Sequence, residues 1–209
     1  MKTLPACLLL GLFAASSAAA ADLSFSFGYG TARLDGGQAG DSSSSSSLLP
    51  KDVAGSVNVL RLSLGLALTD RIGIEGSYLD FSELTTEHQL NPNGPESFVA
   101  VDNRFRRKAQ ALAVGPTYTW MPAEGWQIAA AVGGVLSDLR TNIDGGGHGV
   151  QVYKTTGNPG WFGSINASYA LSQQVAVGVS VRYIDFNRKM ASSSSLTAQH
   201  ADLFLTLRF

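Results

Sequence analysis

The sequence predicts an all-β protein: an eight-stranded antiparallel up-and-down transmembrane β-barrel. Three observations carry this. Eight segments alternate apolar and polar residues with period two, as strands with two different faces do. The connections alternate between tight turns and long polar stretches. Residue parity is kept across every tight turn, so one apolar face continues from strand to strand.

The chain opens with a segment of another kind. Lys2 is followed by the short apolar run Leu4–Ala15 and by small residues ending at Ala21. That is the pattern of a secretory signal peptide. The run is too short for a membrane helix of about 20 residues. Residues 1–21 are therefore read as a cleaved signal peptide and 22–209 as the barrel. Cys7 is the only cysteine. The mature chain would then carry no disulfide, thiol nucleophile or cysteine-ligated metal.

The first strand is expected around Leu23, Phe25, Phe27 and Tyr29, alternating with Ser24, Ser26, Gly28 and Gly30. The second sets Leu60, Leu62, Leu64, Leu66 and Leu68 against Arg61, Ser63 and Gly65. The third sets Ile72, Ile74 and Tyr78 against Gly73, Glu75 and Ser77. The fourth sets Leu112, Val114, Tyr118 and Trp120 against Ala111, Ala113 and Thr117. Pro116 lacks an N–H and should mark a bulge or a strand end. The fifth runs from Trp126 through Leu136; its Ala- and Gly-rich stretch from Ile128 alone also fits a helix. The sixth sets Trp161, Ile165 and Tyr169 against Ser164, Asn166 and Ser168. The seventh sets Val175, Val177, Val179, Val181 and Tyr183 against Gly178, Ser180 and Arg182. The eighth sets Leu203, Leu205, Leu207 and Phe209 against Asp202, Thr206 and Arg208.

Residues 69–71, 121–125 and 172–174 are short turns; 35–56, 82–103, 141–160 and 187–197 are long and polar. This asymmetry belongs to outer-membrane barrels, with short periplasmic turns and long extracellular loops. Pairing about Asp70 sets Glu75 opposite Gly65, and pairing about Gln173 sets Tyr169 opposite Val177. Pairing about Ala123 sets Trp120 opposite Trp126. Two aromatic girdles result. Tyr118, Trp120, Trp126, Tyr169 and Phe209 mark the turn end; Tyr29, Tyr78, Trp161 and Tyr183 mark the loop end.

Composition narrows the function. Charged residues are 15% and the formal net charge is −1. A nucleic-acid binder would show a basic domain, and 44% hydrophobic content excludes whole-chain disorder.

The signal peptide, the eight segments and the closing Leu203-Phe204-Leu205-Thr206-Leu207-Arg208-Phe209 resemble small Gram-negative outer-membrane barrels. Gly73-Ile74-Glu75-Gly76-Ser77-Tyr78 and Val181-Arg182-Tyr183-Ile184-Asp185-Phe186 resemble strands of the OmpA-like superfamily, which includes the OmpX/Ail and OmpW types. The resemblance implies a monomer in the cell outer membrane. It also implies that terminal Phe209 is the signal read by the barrel-assembly machinery.

An eight-stranded bore is filled by side chains or holds one small ligand. The inward set is read as small and polar, with charges Arg61, Glu75, Arg182, Asp202 and Arg208. Centring the last loop on Ser192 sets Arg182 opposite Asp202, which predicts an ion pair with Arg61 and Glu75 in a wider network. The basic run Arg104, Arg106, Arg107 and Lys108, with Arg140, Lys154, Arg188 and Lys189, is expected at the outer rim. There arginine forks suit the phosphates of lipopolysaccharide, or a polymer of the host or matrix.

No catalytic, metal or cofactor site is expected. His88 and His148 fall in long loops and His200 begins the last strand; none stands in a recognisable nucleophile–base arrangement. Ser42–Ser47 and Ser192–Ser195 read as flexible loop runs. The glycines of 145–149 lack the Lys-Ser/Thr of a phosphate loop. The expected role is non-enzymatic: envelope integrity or adhesion through the loops. A narrow OmpW-like channel for small or hydrophobic solutes is the alternative, and a lipid A-modifying enzyme the third reading.

Overall fold

In the computed structural model, residues 22–36, 53–89, 102–145, 150–186 and 196–209 are described. Eight strands form: β1 (Leu23–Gly36), β2 (Val53–Ala67), β3 (Ile72–Gln89), β4 (Asp102–Trp120), β5 (Trp126–Gly145), β6 (Val150–Ala170), β7 (Val175–Asp185) and β8 (Leu196–Arg208). Each pairs antiparallel with its neighbours, and β8 pairs with β1 to close the barrel. Residues 128–136 are strand, with no helical turn.

Two of the tight turns use the same device. Leu68 N–H and Thr69 N–H donate to Ile72 O, while the Thr69 hydroxyl accepts from Ile72 N–H at 2.9 Å. Leu171 N–H and Ser172 N–H donate to Val175 O, and the Ser172 hydroxyl accepts from Val175 N–H at 3.1 Å. A hydroxyl at the first turn residue satisfies a backbone donor that the reversal exposes.

Register follows expectation at both of these turns: Gly65 faces Glu75 and Tyr169 faces Val177. At two other hairpins it slips by two residues. Trp120 faces Ile128 instead of Trp126. The connection folds back on itself there, with Trp126 N–H donating to Ala123 O at 3.0 Å and Gly125 at φ 77°, so Trp126 pairs with Tyr169 alone. Arg182 faces His200, and Asp202 faces Ser180. A slip of two leaves every side chain on its own face, so alternation cannot detect it.

Pro116 is neither a bulge nor a strand end. It faces Ile74 in unbroken register, and the β4–β5 ladder skips Gly115 and Pro116, then resumes unshifted at Thr117. A Cβ on Gly115 would collide with Val132 O, and one on Gly133 with Val114 O. Two glycines thus let the backbones close over the missing donor. The bulges lie elsewhere, between Phe81 and Leu84 on β3 and between Thr155 and Asn158 on β6, opposite Ser137 and Leu139 of β5.

The apolar outer face is the membrane belt. Ile165, Val181, Leu203 and Val132 are each more than half exposed at its middle. Tilted rings close it at both edges: Trp126 on Tyr169 at 5.4 Å and Trp161 on Tyr183 at 5.3 Å. From Trp161 to Tyr169 is about 26 Å along the strand, at 3.3 Å per residue. With a tilt of about 35–45° this spans about 18–21 Å of membrane thickness, so the rings sit just inside the edges of a band of about 25 Å.

At the loop-end girdle and beyond it the pattern inverts. Asp80, Asn58, Gln110, Thr197 and Gln199 lie outside, while Leu79, Phe81, Val57, Val59, Ala109, Leu196 and Ala198 are buried inside. The bore is therefore not polar throughout, contrary to expectation. Once the wall leaves lipid its outer face meets water, and apolar side chains turn inward.

Much of 82–103 and 141–160, expected as loop, is strand. β3 to β6 run for 18, 19, 20 and 21 residues, while β7 has 11. The bilayer sets only the crossing length of about 9–11 residues; the remainder continues into water as sheet.

Candidate functional site

Three layers fill the barrel. The turn end is a vestibule of mixed lining and about 600 Å³, bordered by Ser24, Ser26, Thr117, Gln127, Asn166 and Arg208 among others, with Arg61 and Glu75 at its floor. Ser26 and Thr206 share a hydrogen bond of 2.7 Å, and Arg208 Nη2 donates to Gln127 Oε1 at 2.6 Å.

The middle layer holds the charges. Arg61, on β2, grips Asp202 of β8 with a fork, Nε to Oδ2 at 2.6 Å and Nη2 to Oδ1 at 3.2 Å. Arg182, on β7, donates to Glu75 of β3 at 2.6 Å. Glu75 Oε1 also accepts from Ser77 at 2.5 Å and stands 3.8 Å from Arg61 Nη1. Each arginine also lies over a ring, Arg61 on Phe204 at 5.0 Å and Arg182 on Phe162 at 4.8 Å. Gly28 makes room for the first pair, because a Cβ there would meet Asp202 Oδ2 at 2.7 Å.

The structure thus brings Arg61, Glu75, Arg182 and Asp202 into one cluster, with partners exchanged from the predicted ones. Asp202 binds Arg61 and Glu75 binds Arg182. The two-residue slip of β8 sets His200, not Asp202, beside Arg182. His200 is a member that the sequence expectation omits. It is 1% exposed, with Nε2 3.5 Å from Asp202 Oδ2. Its shared parity with Asp202 is the signal that points inward.

The third layer is a lid. Val59, Leu79, Phe81, Phe162, Ile184 and Phe186 are fully buried across the bore above the charges, with Phe81 edge-on to Phe186 at 6.1 Å. Each such side chain contributes about 1.5–3 kcal/mol by leaving water. The vestibule therefore ends blind.

At the outer rim the basic run divides, because consecutive strand residues take opposite faces. Arg106 and Lys108 are half exposed on the outside, with Glu83 and Asp80 each at 3.6 Å. In register, Arg104 faces Glu87 and Arg107 faces Leu84. Lys108, Arg140 and Lys154 form one row across β4, β5 and β6. Arg188, Lys189, His148 and both serine runs lie outside the described residues, as do residues 1–21. Phe209 is 71% exposed at the turn end, its N–H donating to Leu23 O at 2.9 Å. No group of three or more metal-ligating side chains occurs among the described residues.

The fold recurs in solved outer-membrane proteins. OprG of Pseudomonas aeruginosa superposes with a TM-score of 0.61 at 12% identity, over 90% of this chain and 96% of its own. Ail of Yersinia pestis, solved with the heparin analogue sucrose octasulfate, gives 0.55 at 14%, over 90% and 99%. A major outer membrane protein of Thermus thermophilus gives 0.54 at 11%, over 91% and 100%. No curated protein matches the sequence. The family model described as outer membrane protein beta-barrel domain matches residues 6–209. A closed eight-stranded wall with a lipid-facing belt and a match over nearly its whole length place this chain in the outer membrane, as a member of the outer membrane β-barrel family.

Proposed function

We propose that this barrel is a non-enzymatic, non-conducting anchor that presents an extracellular sheet for surface interaction. One observation carries the reading: the lopsided extension of β3 to β6. These strands continue roughly ten residues past the girdle, about 30 Å along the strand, whereas β7 stops two residues beyond Tyr183. Among the described residues, β3 beyond Phe81 pairs only with β4, and β6 before Trp161 pairs only with β5. The result is a four-stranded sheet whose two outer edges have no strand partner among the described residues.

The lid weighs against the channel reading, since fully buried aromatic and aliphatic side chains fill the bore. The burial of His200 weighs against an enzyme, since a general base must reach its substrate. The row Lys108, Arg140 and Lys154 supports contact with phosphate or sulfate groups, because it sets three basic residues in register across β4, β5 and β6 while Asp80 stands by Lys108 alone among the described contacts. Ail, solved with a sulfated ligand, shares the fold, so a lipopolysaccharide or polyanionic surface is the proposed partner class.

The test is to shorten the β5–β6 hairpin by removing residues 141–155. Loss of adhesion to immobilised sulfated polymer, with the heat-modifiable gel shift of a folded barrel retained, is the expected result. Unchanged adhesion, or discrete single-channel currents from the wild type in planar bilayers, refutes the proposal.

A further inference from the structure

The middle layer contains polar atoms that the ion pairs do not use. Arg182 Nε and Nη1, both imidazole nitrogens of His200, and the hydroxyls of Ser164 and Ser180 lack a hydrogen-bond partner among the described residues. All four residues are nine-tenths or more buried. They are also neighbours. Ser164, Arg182 and His200 face one another in register across β6, β7 and β8. Ser180 begins the adjacent row, between Asn166 and Asp202. Buried polar groups in folded proteins are paired in roughly 90% or more of cases, so six orphan atoms at one spot describe a site.

We propose that Ser164, Ser180, Arg182 and His200 enclose a hydration site. Six atoms at roughly three hydrogen bonds per buried water call for about two ordered molecules. The chemistry selects the occupant. Arg182 only donates, whereas a serine oxygen and one nitrogen of a neutral imidazole also accept. A water serves both needs and a halide serves only the first. Charge argues the same way: Arg61 and Arg182 are already balanced by Glu75 and Asp202. An added anion would be an unpaired charge in a low-dielectric interior.

The supply route is one-sided. Asn166 lines the vestibule, faces Ser180 in register, and has its own Oδ1 unpartnered. The lid closes the other side. Bound water would join the Arg182–Glu75 and Arg61–Asp202 pairs through His200 into one network, fed from the turn end.

Nuclear magnetic resonance on the folded barrel in lipid nanodiscs tests this, with the Arg182 Nε–H assigned. A rotating-frame Overhauser cross-peak from that N–H to water is expected, and it should be lost in Ser164→Ala/Ser180→Ala. Absence of the cross-peak in the wild type overturns the site without relying on any variant. A bromide-soaked crystal supplies the second arm. An anomalous peak within hydrogen-bond distance of Arg182 Nε would make the occupant an anion and overturn the proposal. Water density there, unaltered by bromide, supports it.

Discussion

Asp202→Ala removes one partner of the Arg61 fork. Both side chains are buried, at 2% and 0% exposure, and the fork closes at 2.6 and 3.2 Å. Breaking such a pair strands a charge and costs about 3–5 kcal/mol. The lower end applies here. Glu75 Oε1 remains 3.8 Å from Arg61, although Arg182 already holds it at 2.6 Å. About 3 kcal/mol corresponds to roughly a 150-fold change in the folding equilibrium. With a urea slope near ~2 kcal/mol/M, the unfolding midpoint in lipid vesicles should fall by about 1.5 M. Arg61→Met/Asp202→Ala removes both charges and should recover most of the loss, because a buried pair contributes little net stability once neither charge is left alone. The competing possibility is screening from the vestibule, whose floor Arg61 forms. A loss below about 1 kcal/mol in the single variant, typical of exposed pairs, or a double variant as unstable as the single one, would refute a dry, tightly coupled pair.

Further predictions concern the lid, the glycines and the termini. Phe162→Ala should cost about 3–5 kcal/mol by cavity formation; combined with Phe81→Ala it should give single-channel currents that the wild type lacks, and silent bilayers would mean that other groups also seal the bore. Gly28→Ala drives a methyl into Asp202 and should cost about 1–3 kcal/mol, whereas Gly76→Ala, with nothing within 4 Å of the new Cβ, should stay within about 0.5 kcal/mol in the same urea titration. N-terminal sequencing of the mature protein should begin at Asp22, whose carbonyl already accepts from Ala67 N–H at 3.0 Å. Deleting Phe209 should lower the folded fraction in cells while leaving the refolded protein's midpoint nearly unchanged, since its ring is 71% exposed.

Faces were legible in the sequence because two solvents impose them. Lipid outside and polar lumen inside force period two from Leu23 to Tyr29 and from Val175 to Tyr183. Register was less legible, because pairing Arg182 with Asp202 or with His200 leaves the alternation identical. Only the ladders that β8 makes with β1 and β7 together fix the choice. The long strands hid for another reason. Residues 82–89 and 141–145 are mostly polar, and polarity between strands resembles loop. The lid was written in the sequence, in Leu79-Asp80-Phe81 and Ile184-Asp185-Phe186, where apolar residues change parity. That change looks like the end of a strand unless the environment outside the wall is known to change there as well.

The parity change therefore locates the water boundary, and charge placement tests it. Ile165 lies midway between Trp161 and Tyr169, pairs with Val181, and is 62% exposed on the outer face. Gln199 is also exposed and outward, but it pairs with Tyr183 at the girdle, and its neighbours Ala198 and His200 are buried inside. An arginine at the bilayer midplane costs about 2–4 kcal/mol, falling to about 0–1 near the interface. Ile165→Arg should therefore lower stability in lipid vesicles by roughly the larger amount, and Gln199→Arg by the smaller. Exposure alone makes the two sites equivalent, so the difference reports depth. Equal costs would place both positions at one level of the bilayer. The inversion at Tyr183 would then be a packing detail of the lid, and the sheet formed by β3 to β6 would begin lower in the membrane than the girdle indicates.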